Sequence, residues 1–483
     1  MWDKTHMAGC GAPFGGTFLE SGNSSQLNQL MARAAAKKKR GKPHSPTRLI
    51  VGSFLGVILG GTLLLLLPFS TPDGIGVLDA LFTATSATCV TGLVVRDTYQ
   101  GFTGFGQGVI ICLIQIGGLG LVTLASFFAL ALRRRASFHS MKLASESINT
   151  SDVAEARKLL FVVMKLAALF EGVGALLLAP VFVPEYGPQG ICISVFLAIS
   201  AFCNAGFDVL GREGAYASLT NYTANWYVQA VIMFLIIAGG LGFLVWHDLA
   251  QWRRTKHLTL HTKVVLFCTV LLIVGGTLSF AFLEWYNPVT LGGMGVGDKL
   301  VNSLFQSVSA RTAGFNTVDL AGMSTITKCM MCILMFIGAA PGGTGGGIKV
   351  TTFSVILVTV ASVATGREDA VIFRRKIDKK TVYRALSIAV LSLFAVILAT
   401  LFVFFNTGAN CGPLDSLFES VSAFATVGLS VGATANMEPL AKAITMVTMF
   451  VGRVGPVSLA ISLAAPRKEG RFDVLPEGKI SVG

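Results

Sequence analysis

The stretch Ser86-Ala87-Thr88-Cys89-Val90-Thr91-Gly92-Leu93 has three relatives further along the chain. They are Ser200-Ala201-Phe202-Cys203-Asn204-Ala205-Gly206-Phe207, Ser309-Ala310-Arg311-Thr312-Ala313-Gly314-Phe315 and Ser422-Ala423-Phe424-Ala425-Thr426-Val427-Gly428-Leu429. Each is a small, hydroxyl-rich run that ends in glycine and a large apolar residue, set between two long hydrophobic segments. Their glycines stand 114, 108 and 114 residues apart, a near-constant period that reads as one unit used four times. Ten residues before the glycines are Phe82, Phe196, Leu304 and Phe418, and thirteen before the first and fourth are Asp79 and Asp415. This pattern predicts a short capped helix leading into each run. The C-terminal end of such a helix carries partial negative charge, so four of them aimed at one axis would favour a cation. Glycine allows backbone angles that expose carbonyl oxygens, and such oxygens can replace the hydration shell of an ion.

The composition places these runs in a membrane. Hydrophobic residues make up 53% and charged residues 13%, mean hydropathy is +0.69, and 54 of 483 residues are glycine, which is the signature of an integral membrane protein. The nine cysteines have no framework of spacings and read as packing residues, not disulfides or metal ligands. The net charge of +13 is explained by where it sits. Residues 1–48, 133–158, 251–263, 366–384 and the tail after Pro466 hold 29 of the 38 Lys and Arg residues. All of these lie on one side if the hydrophobic spans alternate, so the positive-inside rule predicts that both termini are cytoplasmic and removes the need for a nucleic-acid partner. No apolar stretch follows a basic start within residues 1–47, which therefore read as a tail without a signal peptide.

Spans are predicted over 49–68, 107–132, 159–182, 226–250, 264–286, 326–364, 382–405 and 440–465, each able to cross about 30 Å of hydrocarbon. The expected fold is an all-α integral membrane protein of eight spans, arranged as four span, pore loop, span units around a pseudo-fourfold pore. Its parts are an N-terminal tail (1–47), units 48–158, 159–263, 264–381 and 382–466, and a C-terminal tail (467–483). Non-helical backbone at membrane depth persists only where protein or a water-filled path satisfies it. The sixth span is too long for one helix and is interrupted by Gly338-Ala339-Ala340-Pro341-Gly342-Gly343-Thr344-Gly345-Gly346-Gly347. That segment predicts a broken helix whose unwound centre lies beneath the glycine runs. It lacks the Gly-Lys-Ser/Thr ending of a phosphate-binding loop.

Charges inside spans mark function or pairing. Lys165 and Glu171 are expected to pair with each other. Lys349 and Arg453 either hold the glycine-rich loop through its carbonyls, raise a barrier below it, or snorkel toward cytoplasmic water. Arg311 is expected to point behind its run, toward Asp79, Asp415 or Glu419. Asp97, Asp208 and Asp319 follow the first three runs and are expected at the outer mouth, where negative charge concentrates cations. The six histidines, at 6, 44, 139, 247, 257 and 261, fall in or beside predicted cytoplasmic segments. No zinc-binding or nucleophile motif accompanies them, so an enzyme is not expected.

Over residues 48–466 the chain resembles the Trk/Ktr/HKT superfamily of potassium transporters, and within it the membrane subunits of bacterial Ktr-type uptake systems (KtrB-like). The resemblance rests on the four units, their glycine runs and the glycine-rich break before Ile348-Lys349. It implies a K+ selectivity filter made by Thr88, Cys89, Val90, Thr91 and Gly92; Cys203, Asn204, Ala205 and Gly206; Arg311, Thr312, Ala313 and Gly314; and Ala425, Thr426, Val427 and Gly428. K+ would be bound by backbone carbonyls at the four glycines. It also implies a gate formed by Ala339, Ala340, Pro341, Gly342, Gly343, Thr344, Gly345, Gly346 and Gly347, with Lys349 and Arg453 beside it. Two further expectations follow from the resemblance: a homodimer in the bacterial inner membrane, and a cytosolic ring of nucleotide-binding regulatory subunits (RCK/KTN-type, KtrA-like). K+ is then the substrate ion and Na+ an activator, with no organic cofactor on the chain. A Na+-permeable or K+/Na+ symporting relative is the alternative. The membrane potential supplies about 2.3 kcal/mol per charge per 100 mV, roughly 50-fold accumulation, so no ATPase element is required.

Overall fold

In the computed structural model of the chain, residues 46–120, 153–212, 214–367, 369–407 and 411–463 are described. The N-terminal tail to residue 45, the second part of the span predicted over 107–132, most of the basic connection 133–158 and the C-terminal tail lie outside the described residues. The helices are α1 (Pro46–Leu65), α2 (Val77–Cys89), α3 (Gly104–Leu119), α4 (Val153–Tyr186), α5 (Gln189–Cys203), α6 (Trp226–Gly240) and α7 (Phe243–Thr255). They continue with α8 (Leu260–Glu284), α9 (Val296–Ser309), α10 (Thr325–Phe336), α11 (Val350–Ala364), α12 (Lys379–Asn406), α13 (Pro413–Ala425), α14 (Pro439–Val454) and α15 (Pro456–Leu463).

Three of these cross a bilayer by length and composition alone: Phe161–Tyr186 within α4, α8 and α12. Their outer faces carry exposed large apolar side chains such as Leu176, Phe282 and Phe405. A contiguous apolar surface of this kind is unfavourable in water and neutral against acyl chains. Inside, Phe82, Phe202, Phe305 and Phe418 are fully buried on α2, α5, α9 and α13.

Two segments predicted as continuous spans are broken. The 226–250 segment is α6 and α7, bent by 94° at Leu241-Gly242. The 440–465 segment is α14 and α15, parted at Gly455. Gly242 and Gly455 have φ of +87° and +89°, a conformation open to glycine and closed to most other residues. Apolar composition runs through both breaks, so hydropathy does not reveal them. α3 ends in the same manner at Gly120, φ +82°. The predicted break of the sixth span separates α10 from α11. The basic connection 366–384 holds a small hairpin, β1 (Val371–Ile372) paired antiparallel with β2 (Arg375–Lys376).

The helix that follows each glycine run packs against the short helix of the next unit: α3 on α5, α6 on α9, α10 on α13, and α14 back on α2. The contacts therefore close a circuit. Asp79 and Asp415 are not caps, contrary to expectation, because Gly76 and Gly412 occupy the cap positions and no side chain caps either helix. Both carboxylates lie in the first turn and reach across the circuit instead. Lys442 Nζ is 2.7 Å from Asp79 Oδ1, and Lys328 Nζ is 2.9 Å from Asp415 Oδ1.

Candidate functional site

Each short helix ends in one local device. The residue two before the glycine adopts the left-handed conformation: Val90, Asn204, Thr312 and Thr426, with φ of 59°, 59°, 77° and 52°. Such a residue stops a helix and lets following amides return to its last carbonyls. The Thr91, Ala205, Ala313 and Val427 N–H groups accordingly donate to the Ser86, Ser200, Ser309 and Ser422 carbonyls at 2.8, 2.8, 2.9 and 2.9 Å. The same serines pin the run from behind through their hydroxyls. Ser86 and Ser422 accept from the Gly92 and Gly428 N–H, at 3.2 and 3.1 Å. Ser200 donates to the Phe207 carbonyl at 2.6 Å, and Ser309 donates to that of Phe315.

The four glycines then have φ of +92°, +69°, +85° and +91°, and they meet. A Cβ on Gly206 would lie 2.7 Å from the Ala313 oxygen and 2.8 Å from the Gly314 Cα. Cβ atoms on Gly92, Gly314 and Gly428 would collide with the carbonyl oxygens of Ala205, Val427 and Thr91 in the same sense. Each glycine thus abuts the carbonyl that precedes the next, and the fourth abuts the first. All four line one cavity of about 460 Å³, together with Asp208, Asn316, Asp319 and Ser430. Asp97, expected at this mouth, is elsewhere. It is buried and accepts from the Tyr99, Gln100 and Tyr216 amides at 2.9, 2.8 and 2.7 Å. Burial, with the Asp97 charge adding to it, pushes the Asp208 carboxyl up to about 6.

The other residues of the runs sit around this ring. Cys89, Cys203, Ala425 and Val427 are buried. The Thr88 and Thr91 hydroxyls are buried without a protein partner. The Asn204 amide satisfies its neighbours when its nitrogen donates to the Ala201 and Ile236 carbonyls and its oxygen accepts from Thr312 Oγ1 at 3.1 Å. Arg311 does not line the cavity at the ring, and it does not reach a carboxylate. Asp79 and Asp415 are engaged by lysines, and Glu419 accepts from Ser430, Val431 and Thr434. Arg311 instead borders Ile236, Thr269 and Ala339, its Nε without a hydrogen-bond partner.

Residues 339–347 lie against the ends of the short helices and touch three units. Thr344 Oγ1 donates to the Phe202 carbonyl at 3.2 Å, and Gly346 N–H donates to Thr426 Oγ1 at 3.0 Å. A Cβ on Gly345 would strike Thr312, and one on Gly347 would lie 3.2 Å from the Ala425 Cα. Ala340 N–H donates to the Gly240 carbonyl, and Phe243 N–H to that of Gly342, so the loop is also tied into the bend between α6 and α7. Lys349 Nζ donates to the Gly345 carbonyl at 2.5 Å. Arg453 donates to the Thr344 carbonyl with one guanidinium nitrogen and to the Gly117 carbonyl with another. It staples the loop to α3. Lys165 and Glu171 do not pair: six helical residues turn them about 120° apart around α4, and Glu171 accepts from Gln115 Nε2 at 3.0 and 3.1 Å.

Three glycines outside the predicted site bring the helices this close. A Cβ on Gly117, Gly239 or Gly452 would run into the carbonyl of Thr88, Phe202 or Phe424, at the end of each short helix. Their signal is Gly117-Gly118-Leu119-Gly120, Gly239-Gly240-Leu241-Gly242 and Gly452-Arg453-Val454-Gly455. In this alignment Arg453 stands where the first two copies have Gly118 and Gly240.

Apolar helices, interrupted ones among them, gathered around a ring of glycine-turned backbone define an α-helical membrane protein of the transport class. The family model for the TrkH cation transport protein matches residues 28–470, and the chain belongs to that family, which is one of cation transporters and not of enzymes. It is 41% identical over 441 residues to the Ktr system potassium uptake protein B of Bacillus subtilis, covering 91% of this chain and 96% of that protein. It is 38% identical over 454 residues to the potassium/sodium uptake protein NtpJ of Enterococcus hirae, covering 92% and 99%. The crystal structure of the potassium transporter TrkH from Vibrio parahaemolyticus superposes with a TM-score of 0.67 at 19% identity, over 88% of this chain and 86% of that one.

Proposed function

We propose that the chain is the ion-translocating membrane subunit of a K+ uptake system, in which K+ moves down its electrical gradient through the ring of Gly92, Gly206, Gly314 and Gly428. The observation that carries this reading is the convergence of the four glycines in one cavity, each against the carbonyl before the next. Backbone oxygens around such a ring can exchange for the hydration shell of a K+ ion, and the C-terminal ends of α2, α5, α9 and α13 add negative potential. Eight spans in four units then place the runs on the outer side and both termini in the cytoplasm of the plasma membrane. In this reading residues 339–347 are the gate, held shut by Arg453 and Lys349. A homodimer carries the basic inner connections, including the β1–β2 hairpin, onto a ring of nucleotide-binding regulatory subunits that moves the gate, and Na+ activates.

A Na+-permeable or K+/Na+-coupled mode is the second reading, favoured by the similarity to a protein named for potassium/sodium uptake. K+ uptake by cells lacking their own K+ systems, with and without Na+, tests both. Wild-type rescue at low K+, weakened in Gly92→Ser, is the expected result. Expression without K+ uptake, even with a regulatory subunit supplied, overturns the K+ assignment.

A further inference from the structure

The four seams of the circuit are built alike, and one of them is missing its fastening. Ten residues before Gly117, Gly239, Gly338 and Gly452 stand Gln107, Gln229, Lys328 and Lys442. Three of these reach the next short helix: Lys442 to Asp79 and Lys328 to Asp415 in its first turn, and Gln229 Nε2 to Asn302 Oδ1 at 3.3 Å in the second turn of α9, alongside the Tyr222 and Thr223 carbonyls at 3.0 and 2.8 Å. At the fourth seam, between α3 and α5, the partner position is Ile193. Gln107 turns back, and its Nε2 donates to the Thr98, Tyr99 and Phe102 carbonyls at 3.3, 3.5 and 3.2 Å. There the structure has a cavity of about 540 Å³, lined by both Gln107 and Ile193.

The rest of the lining is mostly apolar, with Phe196 and Val209 among it and Tyr99 and Gln189 as its polar members. Gly104 and Gly108 leave its α3 wall bare, since a Cβ on either would meet nothing within 4 Å. Ile191 and Val195, also in the lining, are 56% and 43% exposed, so the groove is continuous with the apolar surface that faces acyl chains. Near the lining residues in sequence, the Arg212 guanidinium stands 5.6 Å from the Tyr186 ring centroid. Arg212 follows the lining residue Val209 by three positions, and Tyr186 precedes the lining residue Gln189 by three. Arg212 is exposed, and an exposed guanidinium is a donor for a phosphodiester.

We propose that the α3–α5 seam is a binding site for one phospholipid of the outer leaflet, its acyl chain in the groove and its phosphate at Arg212. The chain occupies the space that a polar pair fills at the other three seams. A groove of this volume is within the range that encloses a small ligand, and hydrocarbon is the solvent it opens to. Phe196 lies on the short helix that leads to Gly206, and Val209 lies on the segment that leaves it. The lipid therefore sets the position of the second glycine run. Binding itself does not depend on the pore reading; only the consequence for ion flux does.

The test uses the full-length protein. Native mass spectrometry after detergent washing should find one retained phospholipid per wild-type chain. Retention should fall roughly tenfold or more in Gly108→Trp, which fills the groove, and in Gln107→Lys/Ile193→Asp, which supplies the fourth fastening. In vesicles containing a diazirine-bearing phosphatidylethanolamine, photolabelling of the wild type should concentrate on residues 104–111 and 189–196, a result that needs no variant to fold. Ion flux of the wild type in vesicles of different acyl-chain length should vary, while flux of the doubly substituted chain should not; loss of the first two results shows the site is absent, whereas loss of this one alone removes its role in permeation. Equal retention in all three proteins overturns the proposal. Labelling confined to other surfaces, or a doubled mass of the wild type that the substitutions abolish, overturns it as well.

Discussion

Replacing Arg453 by Gln should open the inner side of the ring. Arg453 donates to the Thr344 carbonyl on the glycine-rich loop and to the Gly117 carbonyl at the end of α3, and the shorter amide cannot bridge the two. A hydrogen bond from a charged donor is worth about 1.5–3 kcal/mol. Loss of one end releases the loop as effectively as loss of both, so the closed arrangement weakens by about that much and not by twice it. At about 1.4 kcal/mol per decade, the open fraction should rise roughly 10- to 100-fold. The loop would still hold Thr344 Oγ1 on Phe202 and Gly346 N–H on Thr426, which is why full opening is not expected. The assay is K+ flux into vesicles containing the purified chain alone, without regulatory subunits. Arg453→Lys keeps the charge but loses the fork, and should give an intermediate rise. Flux unchanged or reduced in Arg453→Gln at equal incorporation would refute the staple.

Gly452→Ala should lower the thermal midpoint in detergent strongly, because its Cβ would lie 2.7 Å from the Phe424 carbonyl carbon, a backbone atom that cannot rotate away; overpacking of this kind costs about 1–3 kcal/mol or more. Gly56→Ala, with open space around it, should be neutral or slightly stabilising, and an equal loss in both would remove the packing argument. Lowering external pH through about 6 should raise the KM for K+ uptake, since Asp208 is charged above that value and neutral below it. Asp208→Asn should abolish that step, and a step that persists assigns it to another group. Asp79→Lys and Lys442→Asp should each destabilise the protein by juxtaposing like charges, while the double exchange restores most of the thermal midpoint; failure of the exchange to rescue would mean that the 2.7 Å pair is incidental.

The ring is legible in the sequence because each unit has a glycine at the same place, preceded by a Ser-Ala pair and followed by a large apolar residue. The interrupted sixth span was legible for a similar reason: Pro341 and six nearby glycines cannot continue a helix. Other features were hidden by the chemistry of the chain itself. The bends at Gly242 and Gly455 lie inside uninterrupted apolar sequence, where hydropathy carries no signal and only the conformation of one residue changes. The partners of Asp79 and Asp415 could not be read because Lys442 is 363 residues from Asp79 and comes near only when the circuit closes. Asn302 escaped alignment with those aspartates because the third run is one residue shorter, with Ser309 five positions before its glycine where the other serines stand six. Lys165 is near Glu171 in sequence, but helical phase turns the two apart and Glu171 meets Gln115 on a different helix.

In the proposed pathway, ions pass through the four glycines and are selected there. The most direct measurement is the reversal potential of the purified chain in a planar bilayer, with K+ on one side and Na+ on the other, for the wild type and for Gly206→Ser. A serine at 206 must place its Cβ 2.7 Å from the Ala313 carbonyl oxygen while holding φ at +69°, so the ring has to deform. The wild type should reverse at a potential that favours K+, and the variant should shift toward equal permeability while still conducting. An unshifted reversal potential in a conducting Gly206→Ser chain would place the selecting step away from this ring.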